Sequence, residues 1–337
     1  MEFEDIIPNG PKGQPIKNKA FINYLTKCIT LHYSVKGEQY FPGPQPVSIE
    51  KKDFEKFVKY KYNIGLKLDG VRFLMYFIRD KNNTKQCILV NRALQYYIIN
   101  IDTDEDAIYN ETLLDGELLY NKTTSKWDFS IHDAVILCGN KINKQSHSQR
   151  LMDTKCCIDS FIENKDSNTV NILIKEFHMF SDITNFIDNV YTNVNSDGII
   201  FMPENLPVIS GTQYSMFKWK PPDKHTFDFL ITEVEDNFEV HVYHLNKMVV
   251  FAKIHNNIKE GNEFIQNTKN LDNYKNECIL ERNFDKSINN FKPLLIRTDK
   301  THPNSLRTIE RTLFNINENI TLNDYKNIKL NVNEVTE

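Results

Sequence analysis

Apolar and polar positions sort this chain into short strand-like runs with a few helical stretches between them. GLKLDGVRFLMYFIRD, from Gly65, turns mostly apolar after Asp69-Gly70. QCILVNRALQYYII, ETLLDGELLY, WDFSIHDAVILCG and DGIIFMP read the same way. Apolar runs of this length, rich in Val, Ile, Tyr and Phe and bounded by turn residues, are strands of an antiparallel sheet. Helices are expected over 48–60, opened by Ser48, over 144–165, over 181–193, and from about Asn304 to Phe314. Pro221 and Pro222 cannot continue a central strand, so they mark a boundary. Beyond them FDFLITEVEDNFEVHVYHLNKMVVFAKI alternates strand runs with polar turns, the pattern of a small barrel. The expected class is α+β, with a larger domain over 1–222 and a small barrel domain over 223–303. A C-terminal helical region, about 304–337, is expected to pack back on the first domain, with the polar tail after Asn317 loosely ordered.

Composition changes this picture little. The chain has 337 residues, 40% hydrophobic and 26% charged, with net charge −4. No overall basic signature announces nucleic acid, although a local basic groove is compatible with an acidic protein. Glycine is scarce, at 11 residues, so no glycine-rich phosphate loop dominates. The cysteines, Cys28, Cys87, Cys138, Cys156, Cys157 and Cys278, form no CxxC pair, which argues against a zinc site. Their scatter suggests a reducing compartment. The opening MEFEDIIPNGPKG lacks the apolar run of a signal peptide, and no stretch of about 18 apolar residues occurs. The expectation is an intracellular protein with no membrane partner.

Candidate chemistry centres on Lys67 in KLDGVR, a lysine beside an Asp-Gly turn with Asp69 and Arg72 at short spacing. Alone, this reads more readily as a surface turn with a solvated lysine. The rest of the chain adds two further Asp-Gly turns, at Asp115-Gly116-Glu117 and Asp197-Gly198. In Phe217-Lys218-Trp219-Lys220, strand alternation puts both lysines on one face. Arg297-Thr298-Asp299-Lys300 follows in the second domain. Such a set suits phosphoryl chemistry. Neighbouring cations favour a neutral, nucleophilic lysine. Lysines and a metal ion neutralise a transferring phosphate, and carboxylates hold that metal.

In chain order the motifs KLDGVR, DGELLY, WDFSIHDAVILCG, DGIIF, FKWKPPDKHTFDF and RTDKTHPN resemble the covalent nucleotidyltransferase superfamily, specifically its mRNA capping guanylyltransferases. The leader FPGPQPVSI is similar to the capping branch, and the size resembles compact viral enzymes. The resemblance implies a nucleotidyltransferase domain on an ATP-grasp-like antiparallel sheet, followed by an OB-fold barrel. It implies GTP as substrate, Mg²⁺ or Mn²⁺ as cofactor and 5′-diphosphate RNA as acceptor. An RNA triphosphatase and a cap methyltransferase are implied as separate or fused functions. By the same resemblance Lys67 accepts GMP, while Asp69 and Arg72 order the loop and contact ribose and phosphate. Arg92 and Lys175 touch the nucleotide. Glu117 binds ribose or the metal, and Asp197 organises the metal. Lys218 and Lys220 hold the α-phosphate. Asp228, Arg297, Asp299 and Lys300 serve the β- and γ-phosphates. The base-stacking position, aromatic in the family, is His132 here, with Phe129 as the other candidate. If viral, the enzyme would work in a viral factory or virion, or in host cytoplasm or nucleus. The competing functions are an ATP-dependent polynucleotide ligase and a non-catalytic RNA-binding module.

Overall fold

The computed structural model describes residues 3–35, 40–103, 105–285, 290–298 and 300–330. The chain divides into two compact units. The first comprises Met1–Ile49, Asp53–Trp219 and Tyr325–Glu337, and the second Glu50–Lys52 and Lys220–Asp324. The second unit thus begins directly before Pro221 and Pro222.

In chain order the first unit carries β1 (Glu4–Asp5), β2 (Lys12–Pro15), α1 (Lys19–His32), β3 (Gln45–Ser48), α2 (Phe54–Lys59) and β4 (Tyr62–Lys67). Next come β5 (Val71–Arg79), β6 (Lys85–Asn91), β7 (Tyr96–Ile99), β8 (Thr112–Asn121), β9 (Lys126–Leu137) and β10 (Asn140–Lys141). Then follow α3 (His147–Phe161), β11 (Asn171–Ile174), β12 (His178–Met179), α4 (Ile183–Phe186), β13 (Gly198–Pro203) and β14 (Thr212–Trp219). One sheet has the order β1-β2-β7-β6-β5-β8-β9-β10, with β11 added parallel to β9. The other has the order β12-β4-β13-β14-β3.

Strand β5 shows why the first sheet is central. Phe73, Met75 and Phe77 point to a core that includes Ile158 of α3, and Leu74, Tyr76 and Ile78 to one that includes Leu25 and Ile29 of α1. A strand covered on both faces must be apolar at every position, which is the continuous run in the sequence. Asn18 caps α1 by accepting from the Phe21 amide, and Ser146 caps α3 by accepting from that of Gln149. The second sheet rests on stacked rings: Phe57 lies 4.4 Å from Phe180 and 5.0 Å from Phe201. Burying each such ring contributes roughly 1.5–3 kcal/mol.

Some expectations are corrected here. Ser48 opens no helix; it ends β3, and the helix starts at Phe54 after a 3-10 turn over Lys51–Asp53. Asp115-Gly116 is no turn but the middle of β8. Its long neighbours β5 and β9 continue past it, so pairing on both sides keeps the backbone extended. Among the described residues the tail after Asn317 is ordered as α7 (Leu322–Lys326), whose Tyr325 is fully buried in the first unit, 5.1 Å from the Phe201 ring.

The second unit holds β15 (Thr226–Val234), β16 (Asn237–His244), β17 (Lys247–Ile254), α5 (Lys259–Lys269), β18 (Glu277–Asp285), β19 (Asn290–Ile296) and α6 (Leu306–Glu318). Its antiparallel sheet runs β17-β16-β15-β18-β19, an open path among the described residues. Helix α6, expected to pack back on the first domain, instead puts Ile309 and Ile316 into the core of this unit. Its amphipathic apolar stripe needed a nearby sheet, and the β15–β16 ladder supplies one. Arg282 lies in the same unit, 5% exposed, with the rings of Phe229, Phe264 and Phe291 at 4.8, 4.6 and 4.4 Å. Burial pulls its pKa down to about 9, and the ring faces offset part of the lost hydration.

In the first unit Arg150 of α3 meets Asp133 of β9 in a two-pronged pair, Nε to Oδ1 at 2.7 Å and Nη2 to Oδ2 at 2.9 Å. Both side chains are almost wholly buried. Arg150→Ala would strand the Asp133 carboxylate, so urea unfolding should show a loss of about 3–5 kcal/mol. A loss under about 1 kcal/mol would mean that water reaches the site and solvates the carboxylate.

Candidate active site

Lys67 ends β4, and β13 pairs with that end so that Gly198 lies opposite it. The Asp197 amide donates to the Lys67 carbonyl at 2.8 Å, and the Lys67 ammonium donates to the Asp197 carboxylate. Gly198 has φ 150°, an angle that side chains other than glycine rarely adopt, and this lets the chain leave Asp197 on the lysine. The ladder continues through Ile200 to Lys218 of β14. Lys67, Gly198, Ile200 and Lys218 therefore share one face, while Ile199 and Trp219 fill the core on the other. Lys67 and Asp197 are 19% and 16% exposed, accessible yet largely desolvated.

The other sheet brings Glu117 of β8 opposite Arg72 of β5 and Ser130 of β9. Glu117 Oε2 is buried without a hydrogen bond and lies 3.8 Å from the Lys175 ammonium. Burial lowers the pKa of Lys175; Glu117 opposes the shift, and the nearby charge of Lys67 adds to it. That mutual repulsion places Lys67 and Lys175 in one electrostatic neighbourhood with Glu117 and Asp197.

Beneath this lies Asp115. Arg72 donates Nε to Asp115 Oδ1 at 2.8 Å and Nη2 to Oδ2, while Nη1 donates to the Pro44 carbonyl at 2.6 Å. His132 Nε2 sits 3.2 Å from Asp115 Oδ1, and the Tyr33 hydroxyl donates at 3.5 Å. A Cβ on Gly43 would lie 2.7 Å from Arg72 Nη2, so glycine lets the leader close over the pair. Burial disfavours the Asp115 charge, but Arg72 and His132 overcome it and hold the carboxyl well below the usual range.

Arg72 thus orders the 41–46 leader, and each of its three nitrogens has a protein partner. Asp69 is exposed at the turn before β5. Arg92, at the turn after β6, donates to Gln45 at 3.1 Å. Phe129 is corrected: it is fully buried against Gly116, where a Cβ would come within 2.7 Å of its ring. Alternation along β9 turns Phe129 to the core and His132 to the Asp115 side. The sequence marked Asp115 only as a turn carboxylate, and gave Tyr33 and Pro44 no role. A carboxylate inside TLLDGELL was the available signal, since a charge in an apolar strand needs a partner.

In the second unit, Lys300 donates to Asp228 Oδ2, Arg297 Nη1 lies 3.4 Å from Asp228 Oδ1, and Arg297 also meets Glu281 at 2.9 Å. The Asp228 amide donates to Asn304 Oδ1 at 2.9 Å, tying the start of α6 to β15. Lys220 is half-buried at the start of the longer segment of this unit. Asp299 lies outside the described residues. Among those residues, no group of three or more His, Cys, Asp or Glu could hold a metal ion.

A lysine amine seated on a carboxylate, with a second lysine–carboxylate pair in the same electrostatic neighbourhood, is an arrangement suited to phosphate chemistry. Residues 10–222 match the family described as mRNA capping enzyme, catalytic domain, and residues 214–325 match mRNA capping enzyme, C-terminal domain. The mRNA-capping enzyme subunit alpha of Candida glabrata is 24% identical, over 96% of this chain and 86% of that protein. Its Saccharomyces cerevisiae counterpart is 25% identical, over 88% and 80%. The mRNA-capping enzyme of Caenorhabditis elegans is 25% identical, over 82% of this chain and 46% of that protein. These relatives are fungal and nematode, where the compact size had suggested a virus. The chain belongs to the mRNA capping enzyme family, and its activity is that of an mRNA guanylyltransferase.

Because its folded pKa is depressed, Asp115 contributes stability that is fully present above the unfolded carboxylate range, near pH 4, and lost as pH falls below it. Urea unfolding between pH 6 and pH 3 should therefore show a shallower acid loss for Asp115→Asn than for wild type. Parallel acid limbs would mean that Asp115 keeps an ordinary pKa.

Proposed function

We propose that Lys67 is the residue that takes GMP, and that the ion pairs around it are the machinery of both half-reactions. The observation that carries this is the Lys67–Asp197 contact facing Glu117 and Lys175. Lys67 Nζ attacks the α-phosphorus of GTP, a P–N bond forms, and the α–β P–O bond breaks with its electrons leaving on pyrophosphate. The lysine proton passes to Asp197 or to water. The 5′-diphosphate end of RNA then attacks the same phosphorus, the P–N bond breaks, and the lysine regains its proton. Lys218 and Lys220 brace the α-phosphate in both steps. Arg297 and Lys300 exchange Asp228 and Glu281 for the leaving pyrophosphate. His132 offers the imidazole face for the guanine ring.

Glu117, with a buried oxygen that accepts no hydrogen bond, and Asp197 suit a hard cation. Mg²⁺ is commonly held by one or two carboxylates plus substrate phosphates, so a preformed cage of three protein ligands is not required. When bound, Mg²⁺ or Mn²⁺ would neutralise phosphate charge. We read the five-stranded sheet of the second unit as an OB-fold. An RNA triphosphatase and a cap methyltransferase would act as separate partners, which fits relatives named subunit alpha. The free thiols fit an intracellular, reducing setting.

The test is to incubate the protein with Mg²⁺ and GTP or ATP labelled at the α-phosphate, then denature it. GTP should label the chain and Lys67→Ala should not, with an adduct that is acid-labile and alkali-stable. Labelling by ATP instead would make the chain a ligase, and no label at all would make it a binding module. A second measurement separates the steps. Arg297→Ala and Lys300→Ala should slow loading by about 10²-fold and leave discharge of isolated enzyme–GMP onto diphosphate RNA within about 3-fold. Lys218→Ala should slow both. Equal loss in loading and discharge for the Arg297 variant would remove it from the pyrophosphate role.

A further inference from the structure

His147, the first residue of α3, is fully buried and plays no part in the chemistry above. Its Nε2 lies 3.1 Å from the carbonyl oxygen of His132 on β9, and its Nδ1 lies 2.9 Å from the Asn63 side-chain nitrogen on β4. A carbonyl only accepts, so Nε2 carries the proton and donates. Nδ1 is therefore bare and accepts from the Asn63 amide. The second N–H of the same amide donates to the Glu204 carboxylate, which also accepts from the Ser148 hydroxyl at 2.9 Å. Turning the amide over would set its oxygen against that carboxylate, so the proton arrangement is fixed from both ends. The Glu204 carbonyl also accepts from the His147 amide at 2.8 Å, and the Glu204 amide donates to the Lys61 carbonyl at 2.9 Å, just before β4.

The placement matters because β4 and β9 belong to different sheets with no backbone ladder between them. β4 carries Lys67, and β9 carries His132. Asn63 and Lys67 share a face of β4, four residues or about 13 Å apart. We propose that His147, as the neutral Nε2–H tautomer, is a positioning residue for guanylyl transfer that sets the Lys67 strand against the His132 strand. It touches neither nucleotide nor RNA. The inference rests on the guanylyltransferase reading of the site.

A proton on Nδ1 would turn the acceptor into a donor facing the Asn63 N–H groups, and the bridge would open. Burial pulls the pKa of His147 below its ordinary value, with Arg150 adding to the shift and Asp133, the His132 carbonyl and Glu204 opposing it. Asp133, Arg150 and Glu204 are the charged groups that act on the ring, and the Phe177 ring meets it edge-on at 4.7 Å. The bridge is therefore intact at neutral pH and fails only in acid.

His147→Gln keeps an acceptor for Asn63 and a donor for the His132 carbonyl, with no proton to gain. His147→Phe fills the space and cuts both bonds. Loading of Lys67 from GTP is measured from pH 5 to pH 8 for wild type and both variants, alongside circular dichroism. At pH 8 the Gln variant should load within about 3-fold of wild type, and the Phe variant at least about 10-fold more slowly, with little change in the KM for GTP. On the acid side the Gln variant should lose rate less steeply than wild type. Ring ¹⁵N shifts of the wild-type protein should show His147 protonated at Nε2 alone at pH 7, a readout that needs neither folding of the Phe variant nor activity. A Phe variant as fast as wild type, a Gln variant with an unchanged acid limb, or an Nδ1–H tautomer would each overturn the proposal. Wild-type protein that fails to label with GTP would overturn the guanylyltransferase reading instead, leaving the tautomer to decide whether the bridge exists.

Discussion

The buried Arg72–Asp115 pair is the constraint around which the site is built. Two charges in an apolar strand pair are tolerable only if every donor and acceptor is met. Arg72 therefore draws in the Pro44 carbonyl, and Asp115 draws in His132 and Tyr33. One pair thus ties α1, the proline-rich leader, β5, β8 and β9 together. Glu117 stands two residues from Asp115 on β8, on the strand that this pair holds still.

Above that foundation the site is a balance of like and opposite charges. Lys67 and Lys175 repel each other, and each has its own carboxylate, Asp197 and Glu117 respectively. Such a site is poorly satisfied on its own: Glu117 keeps a buried oxygen with no hydrogen bond. Buried polar groups left in this condition are uncommon in a structural core and frequent where a ligand completes the set. The second unit holds its Arg297 and Lys300 on Asp228 and Glu281, so its cations are stored paired rather than bare. Arg282 shows the contrasting solution, a cation kept in the core by ring faces.

Much was legible from residue pattern alone, and for local reasons. Strand runs, the helical stretches of α3 and α6, and the order of the lysine and carboxylate motifs depend on neighbours a few residues apart. The pairing of Lys67 with Asp197, 130 residues away, was not foreseen: the resemblance gave each a role in the site without joining them. Tertiary structure decided what depends on two sheets meeting. It turned Phe129 inward and His132 toward Asp115, because alternation tells which residues share a face but not which face is the core. It made Asp115-Gly116 mid-strand, because β5 and β9 pair past it on both sides. It set α6 into the second unit, because an amphipathic stripe states that it needs a partner without stating which. And it gave His147 its two strands, since a histidine beside a helix cap carries no mark in sequence of the distant amide and carbonyl that its two nitrogens will meet.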